Sequence, residues 1–321
     1  MAGIDVASLA AWTPVRVRDL ARAPVVEWAL VDAPFAEPFF EQTADHAMRH
    51  PFNQVFKRRT PLAVFDDLAD VPAVTPSGFI FHMSRAGSTL VAQMLAALDA
   101  SLVISEAQPF DALVTLRRAG RCDDATFVRR LRGMAAAFVR PFGGARRLFV
   151  KWNASHALEL PLIARAFPGV PWMFLFREPR AVLASHRRAS GAEAFGGPVD
   201  AALYGMDPAA VPSMNHDEYT ARAVAAFGEA ALRHANVGRG RFVDYAALPA
   251  VVFDEVLPFF GVEPTAGERA RMHAVTARDA KRPDTTFRAD AVGAPVPPDI
   301  DRLAARWLDP VCARLRAQAE R

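Results

Sequence analysis

The stretch Phe79-Ile-Phe-His-Met-Ser-Arg-Ala-Gly-Ser-Thr-Leu90 decides the fold. Phe79 to Met83 reads as an apolar strand. A short loop with Arg85, Ala86, Gly87, Ser88 and Thr89 follows, and an amphipathic helix is expected over 88–98. A loop between a buried strand and a helix start suits an anion such as a phosphate or sulfate. Amides at the helix start point at the charge, and the helix dipole favours it. Gly87 lets the backbone approach closely. Arg85 adds fixed positive charge, and Ser88 and Thr89 add hydroxyl donors. No Lys follows Gly87, so the loop is not a Walker A sequence.

A second strand–turn–helix stands downstream in Trp172-Met-Phe-Leu-Phe-Arg-Glu-Pro-Arg-Ala-Val-Leu-Ala-Ser-His186. Met173 to Phe176 form a continuous apolar run, as expected of a strand buried on both faces. Pro179 suits a helix start. Arg177 falls at the strand's carboxyl end, and Ser185 lies eight residues on (185 − 177 = 8), two turns into the helix.

These two motifs resemble those of the PAPS-dependent sulfotransferases, which take a sulfuryl group from 3′-phosphoadenylyl sulfate. The first resembles the family's 5′-phosphosulfate loop, and the second its Arg-x-Pro-x-x-x-x-x-Ser site for the 3′-phosphate. The resemblance covers roughly residues 78 to 290. It implies a three-layer α/β fold of the P-loop NTPase type, with a central, mostly parallel sheet flanked by helices. It implies PAPS as donor, PAP as product and no metal. Donor binding would fall to Arg85, Ala86, Gly87, Ser88, Thr89, Arg177 and Ser185. Tyr245, Phe259, Phe260 and Gly261 match the family's later strand and helix end, as structural positions.

Arg85 and Lys151 are candidates for stabilising charge during transfer. One family branch has Lys-x-His after the third strand, whereas this chain reads Lys151-Trp-Asn153. An amide accepts no proton at neutral pH, so another base is needed, and Asn153 reads as a turn or N-cap residue. Glu106, after the second strand, resembles the catalytic Glu of other branches; an ion-pair partner is the equally weighted reading. His156, in the first turn of the next helix, is a further candidate, and that position ordinarily faces solvent. The family's Arg-Lys-Gly clamp is absent. Lys281, Arg282 and Arg288 occupy a loop of suitable position, with Arg282 the candidate donor contact.

Strands expected at 79–83, 101–105, 148–151, 172–176 and 241–245 alternate with helices at 109–118, 123–139, 154–167, 179–188, 217–235, 249–260 and 300–319. Such alternation argues for a parallel sheet covered on both faces. Ligands then sit beyond the strands' carboxyl ends, and Arg85, Glu106, Lys151 and Arg177 all fall there. Residues 1–77 read as an N-terminal extension packed on the core, with a short helix near 38–48, and 78–321 as the α/β domain. The Gly- and Pro-rich stretch 191–216, with Phe195, Tyr204 and Met206, reads as a lid near the acceptor or as a connector.

The 321 residues, 52% hydrophobic and 23% charged, suffice for a large core, and the net charge of +3 fits an anionic ligand. Basic residues are scattered, which argues against nucleic acid. Cys122 and Cys312, far apart, make no disulfide framework and no zinc pattern. No signal peptide or membrane span is expected, so the expected location is cytoplasmic. The reading is transfer from PAPS to a hydroxyl of a small molecule or lipid. The alternatives are another P-loop phosphotransferase or kinase, or a non-catalytic binder of adenosine 3′,5′-bisphosphate.

Overall fold

The computed structural model describes residues 5–188, 198–286 and 296–321. Phe195 and Arg288 lie outside them. The chain begins with β1 (Thr13–Arg18) and β2 (Val25–Ala29), then α1 (Phe40–Arg49), α2 (Pro51–Val55), β3 (Arg58–Pro61) and α3 (Val64–Leu68). The three strands form an antiparallel sheet in the order β1-β2-β3. Buried Glu27 joins it to its flanks, accepting from Arg18 at 3.1 Å and Arg59 at 2.7 Å.

The main sheet is built from β4 (Gly78–His82), β5 (Ser101–Ser105), β6 (Arg147–Lys151), β7 (Trp172–Phe176) and β8 (Gly240–Asp244). Its order is β5-β6-β4-β7-β8, and every pairing is parallel. All five residues of β4 and of β7 are buried, as a sheet covered on both faces requires. Between these strands run α4 (Ser88–Ala96), α5 (Gln108–Arg118), α6 (Asp124–Val139), α7 (Leu160–Ala166), α8 (Pro179–Arg188), α9 (Pro198–Leu203) and α10 (His216–Arg233).

The chain steps from β4 across β6 to β5, then reverses toward β8. Right-handed crossovers therefore place α4 on one face and the later helices on the other, giving three layers. The reversal opens a crevice between β4 and β7, where such sheets hold their ligands. The amino-terminal sheet packs through β1 against α5 and α6, and α3 packs on α6. Gly133 makes the last contact possible: a Cβ there would stand 1.9 Å from the Phe65 carbonyl oxygen.

Three expected helices are interrupted. Residues 154–167 divide into a 3-10 turn, Ala154–Glu159, and α7. Residues 249–260 contain a π turn, Val252–Val256, before α11 (Leu257–Phe259). After α12 (Ala266–Thr276) and the short hairpin β9 (Arg278–Asp279) and β10 (Arg282–Thr286), the last helix divides into α13 (Pro298–Leu303), a π turn, Ala304–Leu308, and α14 (Asp309–Ala319). Each break precedes a proline at the next helix start: Pro161, Pro258 or Pro310. A proline lacks the N–H for the regular ladder, and the turn before it adjusts. Both cysteines are free and buried, and burial pushes the Cys312 thiol up to about 12. Among the described residues no helix is long and apolar enough to cross a membrane.

Candidate active site

Strand register fixes the geometry. His82 pairs with Leu175 and Ser105 with Lys151, so the carboxyl ends of β4, β5, β6 and β7 meet along one edge. After β4 the backbone turns left-handed at Ser84 (φ 72°), Arg85 (φ 51°) and Gly87 (φ 83°). Two non-glycine residues there are a local cost that the fold sustains. Such curls gather backbone amides into anion-binding concavities. Gly87 occupies the N-cap of α4 and offers no side-chain oxygen to its first-turn amides. A Cβ on Gly87 would meet Leu248 Cδ1 at 2.6 Å and Tyr245 Cδ2 at 2.8 Å. Ser88 and Thr89 are buried in this first turn.

Arg177 reaches the same loop from the end of β7. Its backbone amide donates to Met83 Sδ at 3.2 Å, and its Nη1 donates to the Arg85 carbonyl at 3.3 Å. The guanidinium lies 4.1 Å from the centroid of the Tyr245 ring, which follows β8 directly. Ser185 is half-buried on α8. The Glu178 carboxylate accepts from the Arg180 and Ala181 amides at 3.0 and 2.7 Å, capping that helix.

On the other side of the loop, Lys151 and Glu106 meet. Lys151 Nζ is 2.6 Å from Glu106 Oε1 and donates to Thr89 Oγ1 at 3.2 Å. The Lys151 side chain is 1% exposed and that of Glu106 23%. Glu106 is left-handed (φ 53°), and its amide donates to the Lys151 carbonyl at 2.8 Å. His82 Nδ1 accepts from the Ser84 amide at 3.0 Å. Its Nε2 therefore carries the hydrogen and faces the Trp152 carbonyl at 3.1 Å and Glu106 Oε1 at 3.4 Å. Burial opposes charge on Glu106, but the Lys151 ammonium and the His82 ring outweigh it and hold the carboxyl well below the usual carboxylate range.

His156 is buried in the 3-10 turn, not solvent-facing as its position in sequence suggested. Its Nε2 stands 3.1 Å from Asp111 Oδ1 on α5, and its ring lies 5.9 Å from that of Trp152. Burial raises the Asp111 carboxyl, with His156 and Arg118 opposing. Asn153 occupies the N-cap of the turn and makes no side-chain cap bond. Arg282 is largely exposed and pairs with Asp279 at 3.7 Å. Its neighbour Lys281 is the residue aimed at the cleft, with Nζ 5.9 Å from the Phe39 ring; Lys151 Nζ lies 4.7 Å from that ring.

Of the expected lid, residues 191–197 lie outside the described residues. Tyr204 packs on Phe227 at 5.3 Å and Tyr219 at 6.4 Å, both on α10, and Met206 is buried. Sequence reasoning missed Phe39 and Asp111 and assigned His82 only to strand packing. The one signal available was that His82 stands two residues before the loop turns. Among the described residues no three His, Cys, Asp or Glu side chains cluster as a metal site would require.

The fold and this edge define a three-layer α/β protein with a left-handed loop leading into a helix after its central strand. No family model matches the chain, and no curated protein matches it. Among solved structures it is similar to the sulfotransferase domain from the curacin biosynthetic pathway, with 16% identity, 73% of this chain and 98% of that one covered and a TM-score of 0.44. The sulfotransferase domain from the Synechococcus PCC 7002 olefin synthase gives 17%, 74%, 95% and 0.44. A sulfotransferase from Alicyclobacillus acidocaldarius gives 14%, 78%, 97% and 0.46. Identities this low leave the chemistry to the residues themselves.

Proposed function

We propose that the chain is a sulfotransferase that moves the sulfuryl group of PAPS to an acceptor hydroxyl on a small molecule or lipid. One observation carries this reading: a single loop is contacted by two cations from different strands. Arg177 bonds the Arg85 carbonyl on one side, and Lys151 bonds Thr89 on the other. A donor with two separated anionic groups suits that spacing of charge. Arg177, with Ser185, would take the ribose 3′-phosphate through its planar fork. Arg85 and the amides from Ala86 to Thr89 would take the 5′-phosphosulfate. A kinase of this fold places an acidic magnesium ligand after a core strand; here β7 is followed by Arg177, and Glu106 after β5 is paired with Lys151.

In the reaction the S–O bond to the 5′-phosphate breaks and a new S–O bond forms to the acceptor oxygen. Glu106 accepts the acceptor's proton, and PAP leaves with the electron pair of the broken bond. Lys151 stabilises charge on the leaving oxygen. His82, fixed by the Ser84 amide, donates toward Glu106 and orients it. His156 with Asp111 borders the acceptor side, and Lys281 with Arg282 covers the donor. Residues 1–77 pack on the 78–321 domain as an extension that lends Phe39 to the cleft.

The test is turnover: PAP release from PAPS across a panel of phenols, sugars and hydroxylated lipids, beside ATP with Mg²⁺. PAP formation dependent on an acceptor, and abolished in Lys151→Ala, supports the reading. Phosphoryl transfer from ATP in place of PAPS turnover overturns it.

A further inference from the structure

Helix α2 is built inside out. Its one buried residue is the polar Asn53, while Phe52, Val55 and the following Phe56 are 39%, 73% and 58% exposed. Among the described residues only Leu203 and Val296 are other large hydrophobic residues so exposed. Hydrogen bonding rather than apolar burial holds the helix. Asn53 Oδ1 accepts from the Leu30 amide at 2.9 Å, and Nδ2 donates to the Leu30 and Ala47 carbonyls, each at 2.9 Å. The apolar side chains are thus fixed facing outward. The Phe52 and Phe56 rings lie 4.7 Å apart, tilted by 36°, Trp12 lies 6.3 Å from Phe52, and the Arg58 guanidinium covers Trp12 at 5.4 Å.

Along the sequence the charge flanking this patch has one sign. No acidic residue stands between Asp45 and Asp66, whereas Arg49, Lys57, Arg58 and Arg59 do. Arg59 is bonded to Glu27 and Arg58 to Ser8. Arg49 and Lys57 are exposed and have no ion-pair partner among the described residues.

We propose that this patch docks the protein on an anionic bilayer surface, with Phe52, Val55 and Phe56 entering the headgroup region and Arg49 and Lys57 meeting acidic headgroups. A stable protein interface covers about 800 Å² on each partner, which three apolar side chains do not supply. Interfacial anchoring uses this smaller combination of aromatic wedge and basic rim. The patch is independent of the reaction proposed above. It is joined to the cleft through α1, which starts beside Phe39 and runs to α2, a rigid arm of about 15 Å by helical rise.

Flotation of the full chain with phosphatidylcholine vesicles, and with mixed phosphatidylcholine–phosphatidylserine vesicles, tests it. Binding is expected on the mixed vesicles and should weaken with salt. Phe52→Ser with Phe56→Ser, and separately Lys57→Glu, should each lower the partition about tenfold or more. These exposed substitutions should leave the unfolding midpoint and PAP titration unchanged, so a loss of docking is distinguishable from a loss of the donor site. A wild-type chain that stays in solution with both compositions overturns the proposal, as does undiminished binding by the double variant. A dimer in solution that dissociates in the double variant, with no vesicle binding, would assign the patch to self-association instead.

Discussion

Lys151 Nζ stands 2.6 Å from Glu106 Oε1 and at the same time donates to Thr89 in the first turn of α4. One buried cation therefore serves both halves of the cleft. It pairs with the Glu106 carboxylate on one side and reaches the hydroxyl-bearing first turn of α4 on the other. This arrangement needs three strands in register, because β5 supplies Glu106, β6 supplies Lys151 and β4 leads to Thr89.

Glu106→Gln leaves Lys151 buried beside a neutral amide. The expected loss of stability at pH 7 is about 3 kcal/mol, and turnover should fall by about 10²–10⁴, with PAP binding retained. The wild-type carboxyl is held low in the folded state. Its extra stability is present above the ordinary carboxylate value of about 4.3 and is lost as pH falls below it. Urea midpoints of the two proteins should differ by a constant amount from about pH 8 to 5 and converge below about pH 4. A gap that stays unchanged down to about pH 3 would contradict this account.

Gly87→Ala places a Cβ at φ +83° against Leu248 and Tyr245. A loss of about 1–3 kcal/mol is expected from strain and the displaced ring. Because Tyr245 supports the Arg177 guanidinium, PAP affinity should fall as well. Thermal unfolding and PAP titration together check this, and wild-type values in both would remove the loop from its assigned role.

Glu268 joins α12 to the turn after α4. It accepts from the Thr265 amide at 2.7 Å, the Asp99 amide at 2.9 Å and Arg147 at 3.2 Å. These bonds, the backbone ones first, hold its carboxyl down at about 2. The stability it contributes is present above the usual carboxylate range and disappears as pH falls toward about 2. Glu268→Gln should lower the unfolding midpoint at pH 7 without changing PAP affinity, and the difference should shrink at acid pH. A fall in PAP affinity would show that α12 shapes the donor site.

The main sheet was legible because its strands are continuous apolar runs: 101–105 and 172–176 are found at the expected bounds. The places of Glu106, Lys151 and Arg177 at the sheet's carboxyl edge were legible too, since Glu106 and Arg177 directly follow β5 and β7 and Lys151 ends β6. The antiparallel strands β1 to β3 carry no such run; β2 buries Glu27, and β3 is Arg-Arg-Thr-Pro. Helix α12 had a signal that was passed over, the capping box Thr265-x-x-Glu268. Phe39 and Asp111 reach the cleft only through tertiary packing, for which local pattern has no code.

Calorimetric titration with PAP, beside ADP and ATP with Mg²⁺, tests the central claim most directly when run on the wild type and Arg177→Ala. The account predicts preference for PAP in the wild type and a loss of about 10–100-fold on removing the guanidinium. Preference for ATP, no nucleotide binding, or PAP affinity unchanged in Arg177→Ala would contradict it.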